Sequence, residues 1–175
     1  MTFEHLWNGW RAAYVQSSGA AGGVQPDDVR SIFTRILESG LPDTETHIVH
    51  RGRNVFAVLN AFPYAVGHVL VLPYREVADL EQLEAAEAGE LWSTVADCVR
   101  VIKAEYHPEG LNVGINLGKP AGGSVSQHLH VHVVPRWAGD SNFMTALAAT
   151  RTLPEALPVT AERLRAAWRS LDAQP

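Results

Sequence analysis

Cysteine is almost missing from this sequence, and so is any excess of basic charge. Cys98 is the only cysteine among 175 residues, which excludes an internal disulfide and any cysteine-rich zinc module. Fourteen Lys and Arg face nineteen Asp and Glu, a formal charge of −5 with His neutral. The basic face that a general nucleic-acid binder needs is therefore not supplied. No apolar run approaches the ~18 residues of a membrane span. The first residues also lack the basic, apolar and small-residue succession of a secretory signal. A cytoplasmic, reducing setting without membrane contact is the expectation. What remains is a globular composition, 46% hydrophobic and 19% charged, and at this length roughly two-thirds of the unfolded surface can be buried. One domain over residues 1–175 follows. Histidine alone breaks the ordinary pattern: there are eight, and three of them fall within five residues.

Phe3, Leu6, Trp7, Trp10 and Tyr14 recur at helical spacing and read as an amphipathic helix with an aromatic packing stripe. A loop rich in glycine and small residues follows over 16–26. Asp27 or Asp28 is then the expected N-cap of a short helix through Ile32, Phe33, Ile36 and Leu37, closed by Gly40 and Pro42. Strands are expected over Thr46–Val49, Asn54–Asn60, Val66–Pro73, Leu111–Asn116 and Gln127–Pro135. One long helix over 79–107 is expected between the third and fourth, and a last helix over Thr160–Leu171. Five strands with short links and one long helix predict an α+β fold, an antiparallel sheet covered by helices.

His128-Leu129-His130-Val131-His132 alternates with period two. In a strand, alternate side chains share a face, so the three imidazoles align while Leu129, Val131 and Val133 enter the core. Imidazoles are costly filler, because each ring needs partners for two nitrogens. Two chemistries use such a row. Three histidines can hold a metal, but positions roughly 6.5–7 Å apart on one strand do not converge easily on one ion. Alternatively, one imidazole attacks a phosphorus centre while its neighbours set its tautomer. The preceding stretch carries Asn116, Gly118, Gly122, Gly123 and Ser124, whose backbone amides and neutral donors suit phosphate oxygens. The pairing favours the nucleophile.

His128 to Val134 match H-φ-H-φ-H-φ-φ, with φ apolar, and Gly67-His68-Val69-Leu70-Val71 form a second strand motif. In both, the sequence resembles the histidine triad family, and the likeness runs from about Thr46 to Phe143. Residues 1–45 then form an N-terminal helical extension and 144–175 a C-terminal helical tail, both peripheral. The aromatic N-terminus and the run His132–Phe143 are similar to an actinobacterial subgroup of the family.

The resemblance implies cleavage of dinucleoside polyphosphates at the α-phosphate through a nucleotidyl-histidine, by hydrolysis or phosphorolysis. It casts His130 as nucleophile, His132 as the contact to the α-phosphate and His128 as an ordering residue. His68 is expected to hydrogen-bond the second ring nitrogen of the nucleophile. Asn60 is the expected ribose ligand, Asn116, Gly123 and Ser124 the phosphate loop, and Trp137 a wall of the nucleotide or leaving-group pocket. Phosphoramidase chemistry, a specialised nucleotidylated metabolite, or nucleotide sensing without turnover are the alternatives.

Many relatives carry a structural zinc. The equivalent positions in this chain are Ser31, Thr34 and Glu76 beside His128, so no structural zinc and no tightly bound cofactor is expected; Mg²⁺, where it takes part, arrives with the substrate. A homodimer built on the long helix and the aromatic stripe is expected.

Overall fold

Val55–Leu59 and Val69–Pro73 are runs in which every residue is buried, the signature of strands covered on both faces. In the computed structural model, which describes residues 30–140 and 154–173, these runs are the second and third strands of one sheet. The strands are β1 (Ile48–Arg51), β2 (Val55–Leu59), β3 (Val69–Pro73), β4 (Gly110–Ile115) and β5 (Val131–Arg136). Their order is β1-β2-β3-β5-β4, and every pairing is antiparallel. The helices are α1 (Ile32–Glu38), α2 (Asp43–Thr46), α3 (Ala85–Tyr106) and α4 (Leu157–Asp172). The α+β class holds. The expected helix over residues 1–15, the loop over 16–26, and Asp27 and Asp28 lie outside the described residues.

Side-chain alternation divides the interior into two layers. Val55, Ala57, Leu59, Val69, Val71, Val131 and Val133 face α3 and α4, where they meet Leu91, Cys98, Ile102, Leu164 and Trp168. Phe56, Val58, Leu70 and Leu72 point the other way and are capped by Phe33 from α1. His132 of β5 and the two histidines just before it, His128 and His130, belong to this second face, where Phe33 packs on the latter pair, which is why α1 bears on the site.

Three local expectations change. The N-cap of α1 is Ser31, whose hydroxyl accepts the Thr34 N–H at 3.1 Å. The segment 79–107 is not one helix. A 3₁₀ turn occupies Leu80–Gln82, and Leu83 and Glu84 are extended before α3 begins. Side chains drive the interruption. Gln82 Oε1 accepts the N–H groups of Ala78 and Asp79, and the Glu87 carboxylate accepts that of Glu84, so the backbone is satisfied without helical bonds.

Finally, the C-terminal helix is not peripheral. Ala161, Leu164 and Trp168 are buried in the larger core. Trp168 stacks on His50 of β1 at 4.2 Å between ring centroids, and Arg165 donates to the Ile48 carbonyl at 3.0 Å.

Candidate active site

The ladder between β3 and β5 ends where Val71 pairs with Val131. Of the three alternating histidines, only His132 therefore lies within a strand, whereas the sequence pattern predicts all three there. Pro73 supplies the reason. It has no N–H to offer a partner strand, and its carbonyl is taken by His128 Nε2 at 2.8 Å. The Leu129 N–H turns instead to the Val77 carbonyl at 2.6 Å. Alternation nonetheless survives, since Leu129, Val131 and Val133 all enter the larger core.

The hydrogen-bond partners assign the tautomers. His130 Nδ1 lies 2.8 Å from the His128 carbonyl. A carbonyl only accepts, so Nδ1 carries the proton and Nε2 keeps its lone pair. By the same logic His128 donates from Nε2 to Pro73 and accepts at Nδ1 from the Ser31 hydroxyl, 2.7 Å away. The Tyr64 N–H donates to His68 Nδ1 at 3.1 Å, which leaves His68 Nε2–H to donate to His132 Nδ1 at 3.0 Å. His132 then carries its proton on Nε2; the Asn116 amide nitrogen 3.4 Å away is itself a donor, so this N–H is met only with the Asn116 amide turned to present its oxygen. His68 thus orients His132, not the middle histidine as expected. The backbone of His128 does that for His130. The partner of His130 sits two residues back along its own chain segment, whereas the partner of His132 comes from the residue just ahead of β3.

Electrostatics favour the neutral rings. Burial lowers the pKa of His130, against the pull of the His128 carbonyl. For His132, burial and then the nearby His130 bring it down to about 4. Burial also lowers His128, opposed by its bond to Pro73. The rings are packed as well as bonded: Phe33 lies 5.6 and 5.4 Å from the rings of His128 and His130. Tyr64 stacks near-parallel to His132 at 6.0 Å.

A cavity of about 400 Å³ opens beside His132 and runs along β4 and β5, with Tyr64, Asn112, Asn116, Arg136 and Asp140 in its walls. His130 stands just behind it, 5.0 Å from His132 between ring centroids. Asn112, Arg136 and Asp140 are unforeseen. Arg136 makes a two-pronged pair with Asp140 at 2.6 and 2.7 Å and donates to Asn112 Oδ1 at 2.7 Å. The i, i+4 spacing of Arg136 and Asp140 was the available signal. Tyr64 offered none beyond its place in a turn before His68.

The other predicted residues distribute unevenly. The loop after Asn116 turns at Gly118 and Gly122, with φ of +73° and +98°. Gly123 is buried, and a Cβ there would meet the Gly118 carbonyl oxygen at 3.1 Å. Ser124 is exposed. Asn60 accepts the Phe62 N–H at 3.0 Å and holds its amide nitrogen 3.4 Å from His68 Nδ1. It therefore builds the turn that carries His68. Trp137 is half-buried and donates its backbone N–H to Asp140, but it is not in the cavity wall.

Behind His128 lies a fourth group. Ser31 N–H reaches both oxygens of Glu76 at 3.1 and 3.0 Å, and the Thr34 hydroxyl donates to Glu76 Oε2 at 2.6 Å. Burial alone would raise the Glu76 pKa, but these bonds hold it below the usual carboxylate value.

His130, the middle of three alternating histidines, keeps a bare Nε2. The HIT domain model matches residues 42–139. The chain belongs to the histidine triad family. This HIT protein is 42% identical over 172 residues to the AP-4-A phosphorylase of Mycobacterium tuberculosis, a match covering 94% of this chain and 84% of that protein. It is 35% identical over 91 residues to a bis(5'-adenosyl)-triphosphatase of Saccharomyces cerevisiae, covering 51% and 44%. Among solved structures it is similar to a Zn-bound histidine triad family protein of Mycobacterium smegmatis. That match has TM-score 0.66 and 28% identity, covering 82% of this chain and 96% of that one.

The cluster around His128 in this HIT protein does not have the chemistry of a zinc site. Two neutral hydroxyls replace thiolates, and their bonds to Glu76 and His128 already satisfy one another.

Proposed function

We propose that this HIT protein cleaves dinucleoside polyphosphates at the α-phosphorus, with His130 as nucleophile. The observation that carries the reading is the pair of opposite tautomers on adjacent rings. His130 offers a lone pair at Nε2, while His132 offers an N–H at Nε2. In the first step Nε2 of His130 forms a bond to the α-phosphorus in line, and the bond to the bridging oxygen breaks with its electron pair on the leaving polyphosphate. His132 donates a hydrogen bond to the oxygen that gains charge. In the second step an acceptor oxygen displaces His130, which recovers its lone pair.

Phosphorolysis is the preferred second step, because the relative matched over almost the whole chain is named a phosphorylase. Inorganic phosphate then releases a nucleoside diphosphate. Asn116, Gly123 and Ser124 hold the phosphates in this reading, and Asn60 meets the ribose. Any Mg²⁺ comes with the substrate.

The protein is further proposed to act in the cytoplasm and as a homodimer. The support for a dimer is β4, which forms an edge of the sheet and leaves Val113 44% exposed, an invitation to pairing. Trp92 on α3, 49% exposed, extends the same expectation.

The deciding experiment is incubation with diadenosine tetraphosphate, with and without phosphate, and product identification by mass. ADP with ATP only when phosphate is present supports phosphorolysis. AMP with ATP in its absence replaces that step by hydrolysis. No turnover refutes both and leaves a specialised nucleotidylated metabolite.

A further inference from the structure

The carbonyl that holds the proton on His130 Nδ1 belongs to a residue outside the ladder. β5 begins at Val131, so strand pairing does not position His128. Its ring does. Nε2 is tied to the Pro73 carbonyl at 2.8 Å and Nδ1 to the Ser31 hydroxyl at 2.7 Å. Ser31 and His128 are both fully buried. Ser31 is held in turn by Glu76, whose carboxylate takes the Ser31 N–H on both oxygens and the Thr34 hydroxyl on one.

From this geometry we infer that Ser31 and Glu76 are positioning residues for the nucleophile. Glu76 anchors the start of α1, Ser31 orients the His128 ring, and the His128 carbonyl keeps His130 in the tautomer with Nε2 bare.

A plain helix cap does not account for the arrangement. Ser31 Oγ accepts the Thr34 N–H as a cap should, yet its single proton goes to His128, a residue 97 positions away. The cap and the link to the active strand share one oxygen. Glu76 likewise spends its charge on α1, although it follows the strand that carries Pro73. These hydrogen bonds do for His128 what ligation to an ion does elsewhere, and the cluster is assigned a metal-free role.

The inference rests on His130 as nucleophile, and the test separates the two. Ser31→Ala and Glu76→Gln are compared with Ser31→Thr, Glu76→Asp and His130→Ala in the full chain. Folding is checked by near-ultraviolet dichroism, and single-turnover nucleotidylation is measured with diadenosine tetraphosphate. Nitrogen-15 spectra read the tautomer of His130. In Ser31→Ala and Glu76→Gln the rate falls by about tenfold or more, as for other groups that orient a functional histidine, and KM stays near wild type. Their His130 signals shift toward the Nε2–H form, and Ser31→Thr restores most of both properties.

An unaltered rate with an unaltered tautomer overturns the inference. So does stoichiometric zinc in the purified protein, measured by elemental analysis, that is lost on Ser31→Ala. Full activity in His130→Ala overturns the proposed function instead, while the tautomer measurement still decides the role of Ser31 and Glu76.

Discussion

His68 Nε2 lies 3.0 Å from His132 Nδ1, a contact between rings 64 residues apart in the chain. Its direction is set from outside, because the Tyr64 N–H occupies the other nitrogen of His68. The consequence is that His132 presents N–H, not a lone pair, toward the cavity.

Replacing His68 by Ala removes this control. The expected outcome is a fall in kcat of about 10–100-fold with a smaller change in KM, the size typical of losing a group that orients a functional histidine. Steady-state kinetics check the rates, and nitrogen-15 spectra check that His132 no longer holds one tautomer. Unchanged kcat with mixed tautomers at His132 would remove it from the mechanism.

The acid side of the pH profile follows from burial. His130 titrates below the ordinary imidazole value of 6.5 and His132 at about 4, so the nucleophile stays unprotonated as pH falls past 6.5. The acid limb of single-turnover nucleotidylation therefore lies below pH 6.5. Stability behaves differently. Between 6.5 and about 4 the unfolded chain binds a proton that folded His132 does not. Unfolding free energy therefore rises with pH, and stability is lost as pH falls through that window. Melting temperature measured from pH 7 downward should drop below 6.5, and His132→Asn should flatten part of that slope.

Gly123→Ala tests the loop. The added Cβ meets the Gly118 carbonyl oxygen at 3.1 Å and that of Asn116 at 3.3 Å, both backbone atoms that cannot swing aside. The loop must shift, and since Asn116 neighbours His132 the displacement reaches the site. A loss in kcat/KM of about tenfold is expected, because misplacement of about 1 Å can cost more than this. Melting temperature should change little. Wild-type kinetics in this variant would separate the loop from catalysis.

Leu164→Ala tests the C-terminal helix. Leu164 is fully buried against the sheet and α3, so the cavity costs about 2–5 kcal/mol. Denaturant unfolding should show this loss while kcat of the folded protein is preserved. A change near zero would make α4 the peripheral tail that its position in the sequence suggests.

Much of this was legible in the sequence because the signals are local. Period-two alternation at His128–Val134 orders side chains on opposite faces whatever surrounds them. The near-continuous apolar run at Val66–Pro73 announces a strand covered on both faces. The glycines before the triad mark the turns at Gly118 and Gly122 that the backbone makes there. Ser31, Thr34 and Glu76 stand out only through the family resemblance, at the positions where relatives hold zinc.

Partnership was not legible. Whether His68 meets His130 or His132 depends on register, since β3 sets Leu70 opposite His132, and on the turn that brings Tyr64 to the far nitrogen. The early end of the ladder depends on Pro73, whose carbonyl is taken by the ring of His128 and not by a strand N–H. Neither signal is carried by neighbours in sequence. Composition and periodicity by themselves determined which residue types line up and on which face. Only the tertiary structure decided which nitrogen carries each proton, because a hydrogen bond is made to whatever group folding brings within about 3 Å.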